Sequence, residues 1–94
     1  MSRHTIPRNR KLGKLIVGYD RPLREFFCQV WSRAGRMSQS WTTKSIDELF
    51  IGIGVCNADA PKGLYQRLED ETLGKAPTNV LVDWSTNPPT EHTV

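Results

Sequence analysis

The chain has few of the residues that build reactive or cross-linked sites. It contains two cysteines and two histidines in 94 residues. Two cysteines are too few for a disulfide scaffold, so both thiols are expected to be reduced, as in the cytosol. The sequence has no C-x-x-C pair and no close His/Cys cluster, which excludes the common zinc-binding patterns. We therefore predict no metal site and no cofactor.

Long apolar runs are also missing. No run approaches the roughly 18 residues that a membrane span needs. The N-terminal stretch MSRHTIPRNRKLGK is polar throughout and lacks the apolar segment of a secretion signal. These absences predict a cytoplasmic protein, and the length is that of one domain. No small-molecule substrate is evident.

Catalytic groups are sparse. His4 and His92 fall in predicted tails, which do not fix a general base near a substrate. Cys28 lies within a predicted strand, whereas Cys56 precedes a predicted helix N-terminus that would favour a thiolate. The sequence favours a non-catalytic protein. A small enzyme that uses Cys56 or the turn 19–21 is the third hypothesis.

Charge is unevenly distributed along the chain. Residues 1–36 hold nine Lys/Arg and two Asp/Glu, a net charge of +7. Residues 37–94 hold four Lys/Arg and eight Asp/Glu, a net charge of −4, and the two halves sum to +3. Such asymmetry indicates an anionic partner for the first half, or opposite charges that meet across the folded surface.

Alternation of apolar residues predicts most of the regular structure. KLIVGYD is a strand candidate with Leu15, Val17 and Tyr19 on one face. After a turn at Asp20–Leu23, the pattern in REFFCQVWSR puts Phe26, Cys28 and Val30 on one face and Phe27, Gln29 and Trp31 on the other. AGRMSQS is typical of a loop, and WTTK of a short edge piece.

The second half of the chain predicts two more strands and a helix. DELFIGIGV alternates like a strand, with Gly52 and Gly54 leaving a bare stripe over which an aromatic ring fits. A helix is expected over about residues 60–73, with Leu64, Leu68 and either Thr72 or Leu73 facing the core and Gly74 as the C′ residue. NVLVDW predicts the last strand.

The resulting fold prediction is α+β. The order β-β-β-α-β gives a small antiparallel sheet of three to four strands with one helix on one face. The predicted divisions are a flexible basic arm at 1–12, a single domain at 13–85 and a disordered tail at 86–94.

A sheet with one helix leaves one face for a partner. Trp, Tyr and Arg dominate interface energetics, so we expect a protein partner or self-association through an aromatic and arginine surface. The candidate residues are Tyr19, Arg21, Phe27, Trp31, Arg33 and Trp41.

Nucleic-acid binding is the alternative. Cations of the N-terminal segment would track phosphates, and aromatic rings of the sheet would stack on bases. The candidate cations are Arg3, Arg8, Arg10, Lys11 and Lys14.

The segment VGYDRPLREFF resembles a stretch of small uncharacterised bacterial proteins, some of them carried on mobile elements. The resemblance covers roughly residues 15–31. It implies a bacterial cytosolic protein without indicating an activity, and it assigns no functional residues.

Overall fold

A computed structural model describes residues 1–7, 13–56 and 58–93 of the chain. The fold is α+β, as predicted, with a six-stranded mixed sheet and two helices. The elements in chain order are β1 (Arg3–Pro7), β2 (Lys14–Asp20), β3 (Glu25–Trp31), β4 (Met37–Thr43), α1 (Ile46–Val55), α2 (Leu64–Thr72), β5 (Val80–Asp83) and β6 (Thr90–Thr93). The sheet therefore has more strands, and the fold one more helix, than the sequence predicts.

The strands lie in the order β4-β3-β2-β1-β5-β6. Neighbours pair antiparallel except β1 and β5, which pair parallel with His4 opposite Val82. The prediction of a purely antiparallel sheet is wrong at this one pair, because β5 returns to β1 from the far end of the chain.

Both helices cover the same face of the sheet. Residues at alternate positions of β1, β2 and β3 pack there against two apolar residues of each helix, Leu49 and Ile53 from α1 and Leu64 and Leu68 from α2. The strand residues in this core are Ile6, Leu15, Val17, Tyr19, Phe26, Cys28 and Val30. The predicted division of β2 and β3 into two faces agrees with this packing.

The segment predicted as a third strand is helix α1. Leu49 and Ile53, four residues apart, are fully buried, while Ile51 and Val55 are 68% and 76% exposed. Ser45 caps the helix, because its side chain accepts a hydrogen bond from the Glu48 N–H. Burial thus follows the helical period rather than the alternation that suggested a strand.

The predicted helix is present as α2, with shifted ends. Leu64 and Leu68 face the core as predicted, but the third inward-facing residue is different. Gly63 is the N-cap residue, with φ of 95°, so it does not weaken the helix interior. Glu71, rather than Thr72 or Leu73, follows Leu68 on the buried face.

The end of α2 is closed as the sequence predicts. Gly74 is left-handed (φ 75°), and its N–H donates to the Glu71 carbonyl oxygen. The next N–H, of Lys75, donates to the Asp70 carbonyl oxygen at 2.8 Å. These two bonds form a Schellman motif, which suits a glycine at the C′ position.

Three strands lie wholly or partly where the sequence predicts loop or tail. Residues 3–7 of the predicted arm form β1, and residues 90–93 of the predicted disordered tail form β6. Strand β4 joins residues 37–40 of the predicted loop to residues 41–43 of the predicted edge piece. Each of these strands has a polar or mixed sequence, so its backbone pairing with a neighbour, rather than its own pattern, fixes it in the sheet.

Candidate interaction surface

The face of the sheet opposite the helices is uncovered in the described part of the chain. The pairing registers fix which residues point to this helix-free face, because residues paired across strands share a side. Its members are Arg3, Thr5, Pro7, Lys14, Ile16, Gly18, Asp20, Glu25, Phe27, Gln29, Trp31, Met37, Ser40, Thr42, Leu81, Asp83, Thr90 and His92.

The centre of the helix-free face is apolar and closely packed. The Phe27 ring lies over Gly18, and a Cβ at Gly18 would sit 2.7 Å from that ring and would also collide with the Ser2 carbonyl oxygen. Ser2 is held there by two bonds to Tyr19: its N–H donates to the Tyr19 carbonyl oxygen, and its Oγ accepts from the Tyr19 N–H at 3.0 Å. A residue without a side chain is thus needed for the N-terminal strand and the ring to meet.

Trp31 is the aromatic residue that the helix-free face presents to solvent. Phe27 and Ile16 are only 8% and 7% exposed, whereas Trp31 is half-buried. The Trp31 Nε1–H donates to the Gln29 side-chain oxygen at 3.2 Å, which holds the indole along the strand. An indole fixed in this way loses little side-chain entropy when a partner covers it.

Cations flank this centre. Lys14 is exposed directly opposite Trp31 in the register, and Arg3 lies half-buried on the same face. Neither forms an ion pair with another described residue. Hydrogen bonds from the Ser85 hydroxyl and N–H lower the pKa of Asp83, and the positive charge of Lys14 adds to this effect. The helix-free face therefore carries charges of both signs, with the ammonium group of Lys14 opposite the half-buried indole.

The other predicted partner-binding residues lie elsewhere. Tyr19 and Trp41 point to the helix side, where Tyr19 packs against Phe26 with ring centroids 5.2 Å apart. Arg21 and Arg33 are exposed in two turns at opposite ends of β3. The structure thus brings Phe27 and Trp31 together, but it does not join them to the other four candidates.

The predicted nucleic-acid-binding cations divide in a similar way. Arg3 and Lys14 share the helix-free face with Trp31. Arg8, Arg10 and Lys11 lie outside the described residues.

An aromatic ring contacts the glycine-rich segment, but the ring is that of Trp41, and the segment is helix α1 rather than the predicted strand. A Cβ at Gly52 would overlap the Trp41 ring, so the glycine of α1 lets the helix approach β4 closely. A Cβ at Gly54 would meet nothing within 4 Å. Of these two glycines, only Gly52 is therefore needed for the packing of α1 against β4.

A buried polar network was missed by the sequence analysis. His4 and Glu71 are fully buried, and His4 Nε2 lies 2.7 Å from Glu71 Oε2. The Trp84 indole N–H donates to His4 Nδ1 at 2.9 Å. An indole N–H only donates, so Nδ1 carries no proton and Nε2–H donates to the Glu71 carboxylate.

Arg67 extends this network to the last strand. Its two terminal nitrogens contact both carboxylate oxygens of Glu91, at 2.6 and 3.3 Å, and its Nε lies 3.5 Å from Glu71 Oε2. The bond to Glu91 raises the pKa of Arg67, and the same bond lowers the pKa of Glu91. The sequence signal was the spacing of Leu64, Leu68 and Glu71, which puts the carboxylate on the apolar face of α2.

The network is built for structure rather than for proton transfer. Both nitrogens of the His4 ring are engaged and its side chain is inaccessible, so no nitrogen remains to act on a substrate. The network joins α2 to β1 through His4, to β6 through Glu91, and to Trp84, the residue that follows β5.

The candidates of the enzyme hypothesis are not assembled around a base. Cys56 is the C-cap residue of α1, rather than preceding a helix N-terminus. The negative end of the helix dipole does not stabilise an anion there. Among the described residues, no three His, Cys, Asp or Glu side chains are grouped to hold a metal ion.

A cavity of about 330 Å³ opens beside the turn that joins β2 to β3. Tyr19 and Phe26 lie on its strand side, and both helices contribute to its wall. Two cations, Arg24 and Lys44, and the carboxylate of Glu69 also line it. The charges of opposite sign give this cavity no clear preference for an anion or a cation.

No described helix is both long and apolar enough to span a membrane. No family model, curated protein or solved structure matches this chain significantly.

Proposed function

We propose that this protein is a non-catalytic interaction module that binds a protein partner through the helix-free face. The observation that carries the proposal is the half-buried Trp31 indole on the same sheet face as the apolar residues Ile16 and Phe27, a face that no described helix covers. Tryptophan at the centre of an apolar patch is the residue type that contributes most to protein interfaces.

The charge of the face specifies the partner further. Lys14 lies opposite Trp31 in the register and forms no ion pair within the described part of the chain, so a protein with a carboxylate beside its apolar contact complements this part of the surface. The basic first half of the sequence supports the same choice.

The test uses a photo-reactive amino acid at Leu81, which is 43% exposed on the helix-free face, and a control at Leu73, 60% exposed at the end of α2. A protein captured at position 81 but not at position 73 is purified, and its affinity for the unmodified chain is measured. Trp31→Glu is expected to weaken binding roughly tenfold or more, since a buried carboxylate replaces an indole.

Leu73→Glu is the matched control and is expected to leave binding unchanged. A captured protein that binds Trp31→Glu as tightly as the unmodified chain contradicts the proposal.

A nucleic-acid partner is the second candidate, supported by Arg3, Lys14 and Trp31 on one face. Phe27 is 8% exposed, which leaves Trp31 to stack on a base. Removing residues 1–11 would delete the central strand β1, so single substitutions are the better test.

The measurement is the salt dependence of binding to labelled single- and double-stranded oligonucleotides. Arg3→Gln and Lys14→Gln are each expected to reduce the slope of log affinity against log salt by about 0.7–0.9. Absence of binding at low salt rejects this candidate and leaves the protein partner.

A further inference from the structure

Strand β4 is an open edge of the sheet without the usual protection. It has seven residues, no charged side chain and no proline, and its side chains are exposed except for Trp41 and Thr43, which are half-buried. Edge strands are commonly shielded by lysine, proline or short length, since a free edge recruits another strand. The one irregularity is a register shift near Val30, which confines the regular part of the edge to residues 39–43.

The hydrogen-bonding pattern identifies the free backbone groups. The Ser2 N–H donates to the Tyr19 carbonyl oxygen, so Tyr19 and Val17 direct their backbone groups toward β1. The direction of the backbone N–H and C=O groups alternates along a strand, so Gly18 and Ile16 direct theirs toward Phe27 and Gln29 of β3. Phe26 and Cys28 of β3 therefore direct their backbone groups toward β4. Their register partners in β4 are Thr43 and Trp41, whose backbone groups therefore bond to β3. The backbone groups of the residues that alternate with these partners do not.

Ser40 and Thr42 are the residues between those partners, opposite Gln29 and Phe27. Their N–H and C=O groups point away from the sheet. These groups form a short, regular ladder that is ready to accept a further strand.

We propose that this edge pairs with β4 of a second copy of the chain, antiparallel and centred on Trp41. In that register Ser40 faces Thr42 of the other copy, and the two pairs make about four backbone hydrogen bonds. On either side of these pairs, Gln39 of each copy faces Thr43 of the other. No charged side chains face each other, so the edge is complementary to itself.

Trp41 favours a second copy over an unrelated strand. Centred pairing puts the two Trp41 residues directly opposite each other at a position where no backbone bonds form, where side chains approach most closely. Cross-strand aromatic pairs stabilise such positions. One face of the Trp41 ring packs against α1 at Gly52, which fixes the ring, and the residue remains half-buried at the open edge.

Helix α1 carries exposed apolar residues on the same flank. Glu48 lies on the side of α1 that faces β4, because its carboxylate accepts a hydrogen bond from the hydroxyl of Thr43, the last residue of β4, at 2.7 Å. Ile51 and Val55 follow this side of the helix and are 68% and 76% exposed. A two-fold axis at Trp41 brings the same flank of both copies toward one interface.

The inference uses the open backbone edge of β4, whereas the proposed protein-binding function uses Trp31 on the helix-free face; Ser40 and Thr42 have their side chains on that face, so Trp31→Glu is the variant that separates the two. Sedimentation of the full chain over about 1–200 µM is expected to show a monomer–dimer equilibrium. Thr42→Pro removes an outward N–H without removing a bond to β3. It is expected to weaken dimerisation roughly 10- to 100-fold while the circular dichroism spectrum is unchanged.

Ser40→Lys provides a second variant if Thr42→Pro does not fold, since a lysine on the edge opposes pairing. Leu73→Lys is the matched control and is expected to dimerise normally. A chain that remains monomeric over this range overturns the inference. A dimer that survives both edge substitutions but is lost in Trp31→Glu also overturns it and assigns self-association to the helix-free face.

Discussion

His4 and Glu71 lie 67 residues apart in sequence and share a buried hydrogen bond of 2.7 Å. The imidazole belongs to the central strand β1 and the carboxylate to α2, so the bond fastens the first strand to the helical layer. With Trp84 occupying the other ring nitrogen, each polar atom of the imidazole has one partner.

Replacing His4 should destabilise the protein strongly. His4→Phe fills a similar volume but leaves the buried Glu71 carboxylate without its donor, and we expect a loss of about 3 kcal/mol in the free energy of unfolding. Urea denaturation measures this loss. Glu71→Gln is the matched control, because it keeps an oxygen for the His4 N–H and removes the buried charge, and its cost should be smaller.

The double variant His4→Phe/Glu71→Leu tests whether the two residues act as a pair. Its loss should be well below the sum of the losses in the single variants His4→Phe and Glu71→Leu, because no unpaired charge remains. An additive result would show that the bond contributes nothing beyond separate packing.

The Arg67–Glu91 pair predicts a small pH dependence of stability. The pKa of Glu91 is below its ordinary value of 4.5 in the folded chain, so its contribution is complete above that value and is lost as the pH falls through the folded pKa. The Glu91 side chain is 43% exposed, so the contribution should be less than about 1 kcal/mol.

Glu91→Gln should therefore lower the free energy of unfolding at pH 7 and cost less at a pH well below 4.5, because the contribution falls as the native carboxylate takes up a proton. Urea titrations at both pH values make the comparison. An equal loss at both would indicate that the pair acts by packing rather than by charge.

Two glycines of α1 should respond oppositely to alanine. Gly54→Ala places its Cβ in open space and should raise the free energy of unfolding by about 0.5–1 kcal/mol, because alanine favours the helix. Gly52→Ala places its Cβ on the Trp41 ring and should lower the free energy of unfolding. Thermal denaturation of both variants in parallel is the measurement, and stabilisation by Gly52→Ala would show that the ring is free to move.

Removal of the α1 cap should have a moderate effect. Ser45→Ala loses the hydrogen bond from the Glu48 N–H and should cost about 1 kcal/mol, whereas Ser45→Asp should retain most of the stability. Chemical denaturation measures both, and equal losses would show that the side-chain oxygen does not cap the helix.

The sequence predicts the elements whose own pattern matches their burial. Strands β2 and β3 alternate cleanly, and α2 ends at Gly74 as expected. Helix α1 was misread because its β-branched residues happen to alternate. The Ser-x-x-Glu pattern at Ser45 and Glu48, which is typical of a helix N-terminus, was the stronger local signal, although only the bond from the Glu48 N–H to the Ser45 hydroxyl forms.

The remaining strands could not be predicted from local patterns. Strand β1 depends on a parallel partner 76 or more residues away, at positions such as Leu81 opposite Arg3 and Asp83 opposite Thr5. For the candidate surface, alternation correctly placed Phe27 and Trp31 together. It could not show that Trp41 faces the helices, because that required knowing that β4 continues the sheet.

The central position of β1 has a consequence for the order of folding. Strand β1 is synthesised before β5 and keeps one edge open until β5 is made, and the bond from Trp84 to His4 spans 80 residues. Closing a loop of that length is slow compared with forming the β2–β3 hairpin. The sheet is therefore expected to be completed as a late, all-or-none step, before which the nascent chain exposes the inner edge of its own first strand to other molecules.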